Sequence, residues 1–119
     1  MNSRDETISF LNGYLHAASK RAFFLEMLQE AQEAGSGERV LADLRENADR
    51  ESMVMQTVLD VIGGMHAESE KRVLFYRFVK GLSNRKIADH MGYSKRQVQR
   101  LCAAGLDLLG EEMKKRGGS

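Results

Sequence analysis

The sequence contains no proline, and this absence constrains the fold more than any residue that is present. Proline kinks or ends α-helices, so a chain without it permits long uninterrupted ones. The chain is also rich in Ala, Leu, Glu, Arg and Met, which favour helix, whereas Val, Ile and Thr do not cluster in alternating runs. The sequence therefore predicts an all-α protein.

Length and composition indicate a compact globular chain. Its 119 residues suffice for one domain, and 42% of them are apolar, which is too many for a chain dominated by disorder. No run approaches the ~18 consecutive apolar residues of a membrane helix, and the polar stretch from Met1 to Glu6 does not resemble a secretory signal. The single cysteine fits a reducing compartment. We therefore expect a cytoplasmic protein without a membrane partner.

Apolar residues in the first half recur at helical steps of three and four, in two runs. The first run extends from Thr7 to about Glu33, and Gly35-Ser36-Gly37 interrupts it as a short turn. The second run is a heptad seam with a charged interruption at Glu51. Gly63-Gly64 ends the second helix, because glycine tolerates the left-handed conformation common after helix C-termini.

Two long helices joined by so short a turn predict a coiled-coil-like antiparallel hairpin over residues 1–64. Further apolar side chains, at Phe23, Met27 and Met53, would be costly to expose, at ~25 cal/mol per Å². We expect a second copy of the chain, or the C-terminal part, to cover them, and a homodimer is the simplest arrangement. The candidate oligomerisation residues are those of the seam: Leu41, Leu44, Ala48, Met55, Val58 and Ile62.

Charge is distributed unevenly along the chain. Residues 1–69 carry six basic and twelve acidic side chains, a net charge of −6, whereas residues 70–100 carry nine basic and two acidic ones, a net charge of +7. The overall charge of +1 therefore conceals an acidic half and a strongly basic segment. Such a segment is typical of proteins that bind a polyanion, most often nucleic acid.

Three helices are expected in residues 65–116. Ser69 is a suitable cap for the first, which runs to Lys80. Ser83 is a suitable cap for a short second helix over residues 84–91, whose apolar side chains face inward.

The connection into the last helix carries the most specific local signals. Gly92 suits a tight turn, and Ser94 with Gln97 fits the S-x-x-Q capping box. A short helix, a glycine-containing turn and a capped second helix form the helix-turn-helix pattern. The expected fold is thus an all-α chain with a long N-terminal hairpin, a three-helix helix-turn-helix domain and a flexible tail at residues 117–119.

The segment from Arg72 to Leu109 contains a characteristic set of residues: Arg77-Phe78, Gly81-Leu82-Ser83, Ile87-Ala88, Met91-Gly92, Ser94, Val98 and Arg100. With these residues the segment resembles the fourth conserved region of primary-type bacterial sigma factors. Gly105-Leu106 stands where that family has an Ala-Leu pair. The whole chain is similar in arrangement to small phage and prophage regulators of the ArpU kind. The sigma regions that bind the promoter −10 element and the polymerase clamp have no counterpart here.

In a helix-turn-helix protein the start of the last helix enters the major groove of double-stranded DNA. The face opposite its apolar side presents Lys95, Arg96, Gln99 and Arg100, and the resemblance places Lys95, Arg96 and Arg100 where sigma factors commonly reach bases. Arg and Lys pair with guanine, and Gln pairs with adenine. The candidate phosphate contacts lie at the entry to the short helix: Lys80, Ser83, Arg85 and Lys86.

The sequence shows no enzymatic signature. His16, His66 and His90 share no metal-ligand spacing with one another or with Cys102, which falls on the apolar side of the last helix. No glycine-rich phosphate loop is present. We therefore expect no catalytic residue, no metal and no cofactor.

The resulting hypothesis is a sequence-specific DNA-binding regulator of transcription, encoded by a phage or prophage and acting in the bacterial host cytoplasm. One alternative is a phage interaction module that binds RNA polymerase, or inhibits a host nucleoprotein, through the acidic hairpin. A further alternative is the small subunit of a DNA-packaging terminase, although its DNA-binding part usually comes first in the chain.

Overall fold

The computed structural model describes residues 3–118, with side chains described for residues 4–116. Within that range all regular structure is helical, which confirms the all-α prediction. The five helices are α1 (Ser3–Glu33), α2 (Glu38–Gly63), α3 (Glu68–Leu74), α4 (Asn84–Met91) and α5 (Lys95–Gly118), and a π-helical turn (Phe75–Val79) continues α3. Helix α5 extends two residues into the predicted tail, and Ser119 lies outside the described residues.

Helices α1 and α2 form the predicted hairpin. The short turn between them contains Gly35 at φ 73°, a left-handed conformation that glycine adopts without steric cost. Farther from the turn, Arg21 donates a hydrogen bond of 2.7 Å to the hydroxyl of Ser52, and Lys20 lies 3.7 Å from the carboxylate of Glu51. The charged interruption in the heptad seam is therefore satisfied within the hairpin.

Three residues of the heptad seam of α2 face the interior of the same chain, which corrects the prediction that these three contact a second copy. Ala48, Val58 and Ile62 are buried, with at most 3% of each exposed. The remaining seam residues, Leu41, Leu44 and Met55, are half-buried. Contact of these three half-buried residues with a second copy stays a prediction.

Apolar side chains outside the seam remain exposed. Phe23, Met27 and Met53 are 56%, 41% and 70% exposed, so the C-terminal part of the chain does not cover them. Val40 and Val54 are also exposed. Of the two covers expected for this surface, the C-terminal part is therefore excluded, and a second copy of the chain stays a prediction.

The hairpin and the C-terminal helices share the larger of two apolar cores. Leu11 of α1 and Val58 of α2 belong to the same buried cluster as Leu74, Leu106 and Leu109. The predicted boundary at residue 64 falls in the connection between α2 and α3, but the core continues across it. The division into an assembly region and a DNA-binding region stays a prediction.

A smaller core lies within the helix-turn-helix region. Val73, Ile87, Ala88 and Val98 are its buried members, contributed by α3, α4 and α5. Because Ala88 is small, α4 and α5 can approach closely where they pack. This core fixes the orientation of α5 relative to the short helix before it.

Two local predictions in the middle of the chain are wrong. Gly64 follows α2 in a right-handed conformation, with φ −79°, rather than the expected left-handed one. Helix α3 begins at Glu68 without a side-chain cap, one residue before the expected capping residue Ser69. Ser69 lies inside the helix, where its hydroxyl is 3.4 Å from that of Tyr93, and this contact replaces the expected capping role.

The helix that leads into the helix-turn-helix widens at its end. The backbone N–H of Lys80 donates to the carbonyl of Phe75 at 3.1 Å, a spacing of five residues instead of four. Gly81 then takes φ 70°, and Leu82 N–H donates to the carbonyl of Tyr76. The helix therefore ends at Lys80, as the sequence predicts, but through a π-helical turn that the pattern of apolar residues does not indicate.

Candidate nucleic-acid interface

The short helix α4 begins with the predicted cap. The hydroxyl of Ser83 accepts a hydrogen bond of 3.2 Å from the backbone N–H of Lys86. The side chains of Arg85 and Lys86 in its first turn are exposed. This arrangement leaves two cations beside the positive end of the helix dipole, an environment that favours an anion.

The turn between α4 and α5 has the geometry that its sequence predicts. Gly92 adopts φ 72° and ψ 29°, and both its N–H and that of Tyr93 donate to the carbonyl of Ala88. Ser94 and Gln97 form a reciprocal capping box, with hydrogen bonds of 3.1 and 3.0 Å. These bonds satisfy two N–H groups at the helix start and fix the direction in which α5 leaves the turn.

The first turns of α5 separate an apolar side from a charged one. Val98 is fully buried, and Leu101 and Cys102 are half-buried. The four predicted base-reading side chains lie together on an exposed face that spans about 140° of the helix circumference at 3.6 residues per turn. These side chains are Lys95, Arg96, Gln99 and Arg100.

The cations of this region have no carboxylate partner among the described residues. Five basic side chains elsewhere form ion pairs within 4.0 Å, but none of the seven between residues 77 and 100 does. Two of the seven have other contacts, because Arg77 donates to Asn84 at 3.4 Å and Lys80 lies 5.7 Å from the centre of the Phe75 ring. The positive charge of residues 77–100 is therefore not neutralised by ion pairs within the part of the chain that the structure describes.

The predicted phosphate contacts fall into two pairs. Arg85 and Lys86 are exposed and make no side-chain hydrogen bond or ion pair within residues 3–118. Lys80 is exposed but lies beside the Phe75 ring, and the Ser83 oxygen accepts the capping hydrogen bond. The Ser83 hydroxyl proton can still be donated to a phosphate oxygen, so capping and phosphate binding are compatible at this residue.

Sequence reasoning missed two contacts that shape this face. The ring of His90 in α4 meets that of Tyr76 edge to face, with 4.8 Å between centroids, so His90 packs against the π-helical turn that follows α3. Arg4 of α1 pairs with Asp107 of α5 at 2.8 Å, across 103 positions of sequence. No local pattern could reveal the second contact, because it depends on how the hairpin packs against α5.

The remaining reactive groups are dispersed. Burial raises the pKa of the Cys102 thiol, and the nearby positive charges of Arg77 and Arg4 oppose that shift without cancelling it. The thiol is therefore protonated at neutral pH. Residues 3–118 contain no group of three or more His, Cys, Asp or Glu side chains placed to hold a metal ion, and none of their helices is long and apolar enough to cross a membrane.

Comparison of the chain with protein-family models, curated proteins and solved structures finds no match.

Proposed function

We propose that the protein is a sequence-specific double-stranded DNA-binding regulator of transcription, encoded by a phage or prophage. The observation that carries this proposal is the exposed face of Lys95, Arg96, Gln99 and Arg100 on a capped helix, without an ion pair to any described carboxylate. Long cations carry an entropic cost when ordered and repel one another when crowded, so a concentrated unpaired set favours a polyanionic partner.

The proposed base contacts follow from hydrogen-bonding geometry. Arg96 and Arg100 can each present two parallel N–H donors to the O6 and N7 acceptors of guanine, and Gln99 can pair with N6 and N7 of adenine. Each such bidentate contact contributes about 1–3 kcal/mol of discrimination against a wrong base. Lys95, at the first position of α5, supplies a further donor to a guanine.

The proposed phosphate contacts hold the helix in register. Arg85 and Lys86 project from the start of α4, where backbone N–H groups also point outward. Phosphate contacts of this kind fix orientation without reading sequence, and each adds about one unit to the salt dependence of binding. Lys80 and Ser83 complete the set at the same end of the short helix.

We propose a homodimer as the DNA-binding form. The exposed apolar side chains Phe23, Met27 and Met53 are the candidate contacts between copies. Two helix-turn-helix units related by a two-fold axis read half-sites about 34 Å, or a multiple of this distance, apart. The operator of such a dimer has matching two-fold symmetry.

The experiment that tests the function is selection of bound fragments from genomic DNA by the purified protein at near-physiological salt. We expect one enriched motif with two-fold symmetry. Weak, salt-sensitive binding without sequence preference would contradict a sequence-specific regulator.

Variants of the proposed base-reading face of α5 identify the residues that read bases. Arg96→Ala and Arg100→Ala should each reduce discrimination between the operator and non-specific DNA by about 5- to 150-fold, the equivalent of 1–3 kcal/mol. Lys114→Ala is the matched control, because it removes an exposed cation from the far end of the same helix. Operator binding equal to wild type in both arginine variants would show that the base-reading face is wrongly assigned.

A protein-interaction module remains the second candidate, and the exposed apolar side chains of the acidic hairpin favour it. On this hypothesis the hairpin binds RNA polymerase or another host protein. Neutralising Lys95, Arg96 and Arg100 together would then leave DNA affinity unchanged, while substitution of Phe23 and Met53 would abolish binding of the host protein. A terminase small subunit would instead assemble as a large ring, which its mass in solution would reveal.

A further inference from the structure

The proposed DNA-binding face continues along α5 into a carboxylate. Arg96, Arg100, Ala103 and Asp107 follow one another at steps of four, three and four, so they form one stripe on the helix surface. The Asp107 side chain is 60% exposed. The stripe that carries two of the proposed base-reading arginines therefore ends in a negative charge.

That charge is close enough to affect DNA binding. Asp107 lies seven residues beyond Arg100, which is about 10 Å along the axis at 1.5 Å per residue. The Debye length at 0.1 M salt is also about 10 Å, so an unneutralised carboxylate would repel phosphates near Arg100. A polyanion-binding surface would be stronger without it.

Arg4 neutralises this carboxylate from the other end of the chain. Its Nε donates to Oδ1 of Asp107 at 3.1 Å, and its Nη2 donates to Oδ2 at 2.8 Å. The two parallel hydrogen bonds fix the guanidinium plane against the carboxylate. The hydrogen bonds from Arg4 also lower the pKa of Asp107 below its ordinary value, so the pair is fully charged at neutral pH.

The packing of α1 on α5 fixes Arg4 in this position. Thr7 is only 2% exposed, and a Cβ added at Gly110 would lie 3.1 Å from its hydroxyl oxygen. Leu11, one turn farther along α1, is fully buried in the same cluster as Leu109. The start of the hairpin is therefore held against the proposed DNA-binding helix, with glycine at the closest point.

We propose that Arg4 is a positioning residue of the DNA-binding surface, which cancels the repulsion of Asp107 and so extends the part of α5 that tolerates a phosphate backbone. The proposal rests on the proposed function. It predicts that DNA binding depends on the charge balance of the Arg4–Asp107 pair rather than on either side chain alone. The hairpin thereby contributes to the interface in addition to any role in assembly.

The test measures the affinity of the full-length protein for its selected operator, and the salt dependence of that affinity, by fluorescence anisotropy. Arg4→Gln leaves Asp107 unneutralised and should weaken binding about five- to tenfold at 0.1 M salt, comparable to the loss of one phosphate contact. Asp107→Asn breaks the same pair without leaving a negative charge, so it should bind as tightly as wild type or more tightly. The double variant should return to within about twofold of wild type.

Arg45→Gln provides the matched control. Arg45 forms an exposed ion pair of 2.9 Å with Glu38 near the hairpin turn, so its loss makes the same change in net charge at a site far along the hairpin. We expect less than a twofold effect on affinity. Thermal unfolding of each variant, followed by circular dichroism, reports separately on any change in stability.

The outcomes separate the two proposals. A wild-type protein that binds no double-stranded DNA would overturn both. Operator binding by wild type together with an unaffected Arg4→Gln variant would overturn the role of Arg4 alone. Weak binding by Asp107→Asn, or by the double variant, would also overturn it. If the pair acted only by stabilising the fold, either substitution would weaken binding, and removing the charge of Asp107 would not restore binding to the Arg4→Gln protein.

Discussion

The hairpin and the helix-turn-helix region use the same charged residue types in opposite ways. In the hairpin, Lys20 pairs with Glu51 and Arg50 pairs with Glu46, so positive charge is neutralised within the fold. Between residues 77 and 100, every cation lacks a carboxylate partner among the described residues. The two regions therefore differ in where unpaired charge is located, and this location is the basis of the proposed nucleic-acid surface. The near-neutral net charge of the chain conceals this difference.

Exposed apolar side chains are concentrated in the hairpin, whereas unpaired cations are concentrated in the helix-turn-helix region. Most of the large apolar side chains that are exposed in the described residues belong to α1 and α2, and none belongs to residues 65–104. The hairpin therefore offers apolar surface to a partner, whereas the helix-turn-helix region offers charge. This difference in surface chemistry is the physical basis for the proposal that the hairpin assembles the protein and the helix-turn-helix region binds DNA.

The largest expected effect tests whether the two regions are energetically separate. Leu11→Ala removes a fully buried side chain from the core that the hairpin shares with α5, and should lower the free energy of unfolding by about 2–5 kcal/mol. Because the core is shared, amide hydrogen exchange should accelerate in both regions. Val98→Ala, in the smaller core, is the comparison variant. Undiminished protection of α4 and α5 in Leu11→Ala would indicate independent folding units.

The next largest effect tests whether the exposed apolar side chains of the hairpin hold the proposed dimer together. Phe23→Ser with Met53→Ser removes two exposed apolar side chains from the hairpin. Burying a large apolar side chain contributes about 1.5–3 kcal/mol, so the dissociation constant of the proposed dimer should rise at least tenfold. Sedimentation equilibrium, with a protomer mass of 13.4 kDa, measures the change. Wild-type protein that sediments at the protomer mass would contradict the proposed dimer.

A smaller effect compares one glycine from each region. Gly92→Ala places a Cβ at φ 72° in open space, so its cost is backbone strain alone, about 1–2 kcal/mol in unfolding free energy. Gly63→Ala, at the end of α2, also meets open space but has no positive φ, and should stabilise the protein by about 0.5–1 kcal/mol. Chemical denaturation distinguishes the two signs. An unchanged free energy of unfolding in Gly92→Ala would show that small backbone adjustments relieve the strain at the turn.

The smallest effect concerns pH and the ion pair that connects the regions. The folded pKa of Asp107 lies below its ordinary value of 3.8 because Arg4 donates hydrogen bonds to its carboxylate. A depressed pKa means that the pair stabilises the fold above the unfolded pKa, and that this stabilisation is lost as pH falls through the folded pKa. Titration of the carboxyl group by nuclear magnetic resonance should therefore give a value below 3.8 that rises in Arg4→Gln. An unchanged value would show that the pair does not form in solution.

Local signals made much of the fold predictable from sequence. The cap at Ser83, the left-handed Gly92 and the Ser94–Gln97 capping box each depend on a few adjacent residues, and the structure has all three. The hairpin likewise follows from apolar spacing and a short glycine turn. The exposure of the candidate base-reading side chains on α5 was also predictable, since it follows from helical periodicity once Val98 is placed inside.

Features that depend on packing between distant segments were not predictable. The seam residues Val58 and Ile62 have the spacing of an intermolecular coiled coil, but the neighbouring helix of the same hairpin and the C-terminal helices bury them. The Arg4–Asp107 pair joins the two ends of the chain, where no spacing rule applies. The start of α3 was also misplaced, because Ser69 contacts Tyr93 of a later segment instead of capping its own helix.

The π-helical turn after α3 allows one short segment to serve both cores. Val73 belongs to the smaller core, whereas Leu74, Phe78 and Val79 belong to the larger one. Phe78 and Val79 lie within the wider turn, whose extra residue changes their angular position relative to Val73. The extra residue of the π-helical turn rotates the side chains that follow it relative to those that precede it. Deleting one residue there would rotate everything after it by about 100° relative to the hairpin, whereas an equal deletion at Gly35 would shorten only an exposed turn. We therefore expect a one-residue deletion to be tolerated in the hairpin turn and to disrupt packing at the junction.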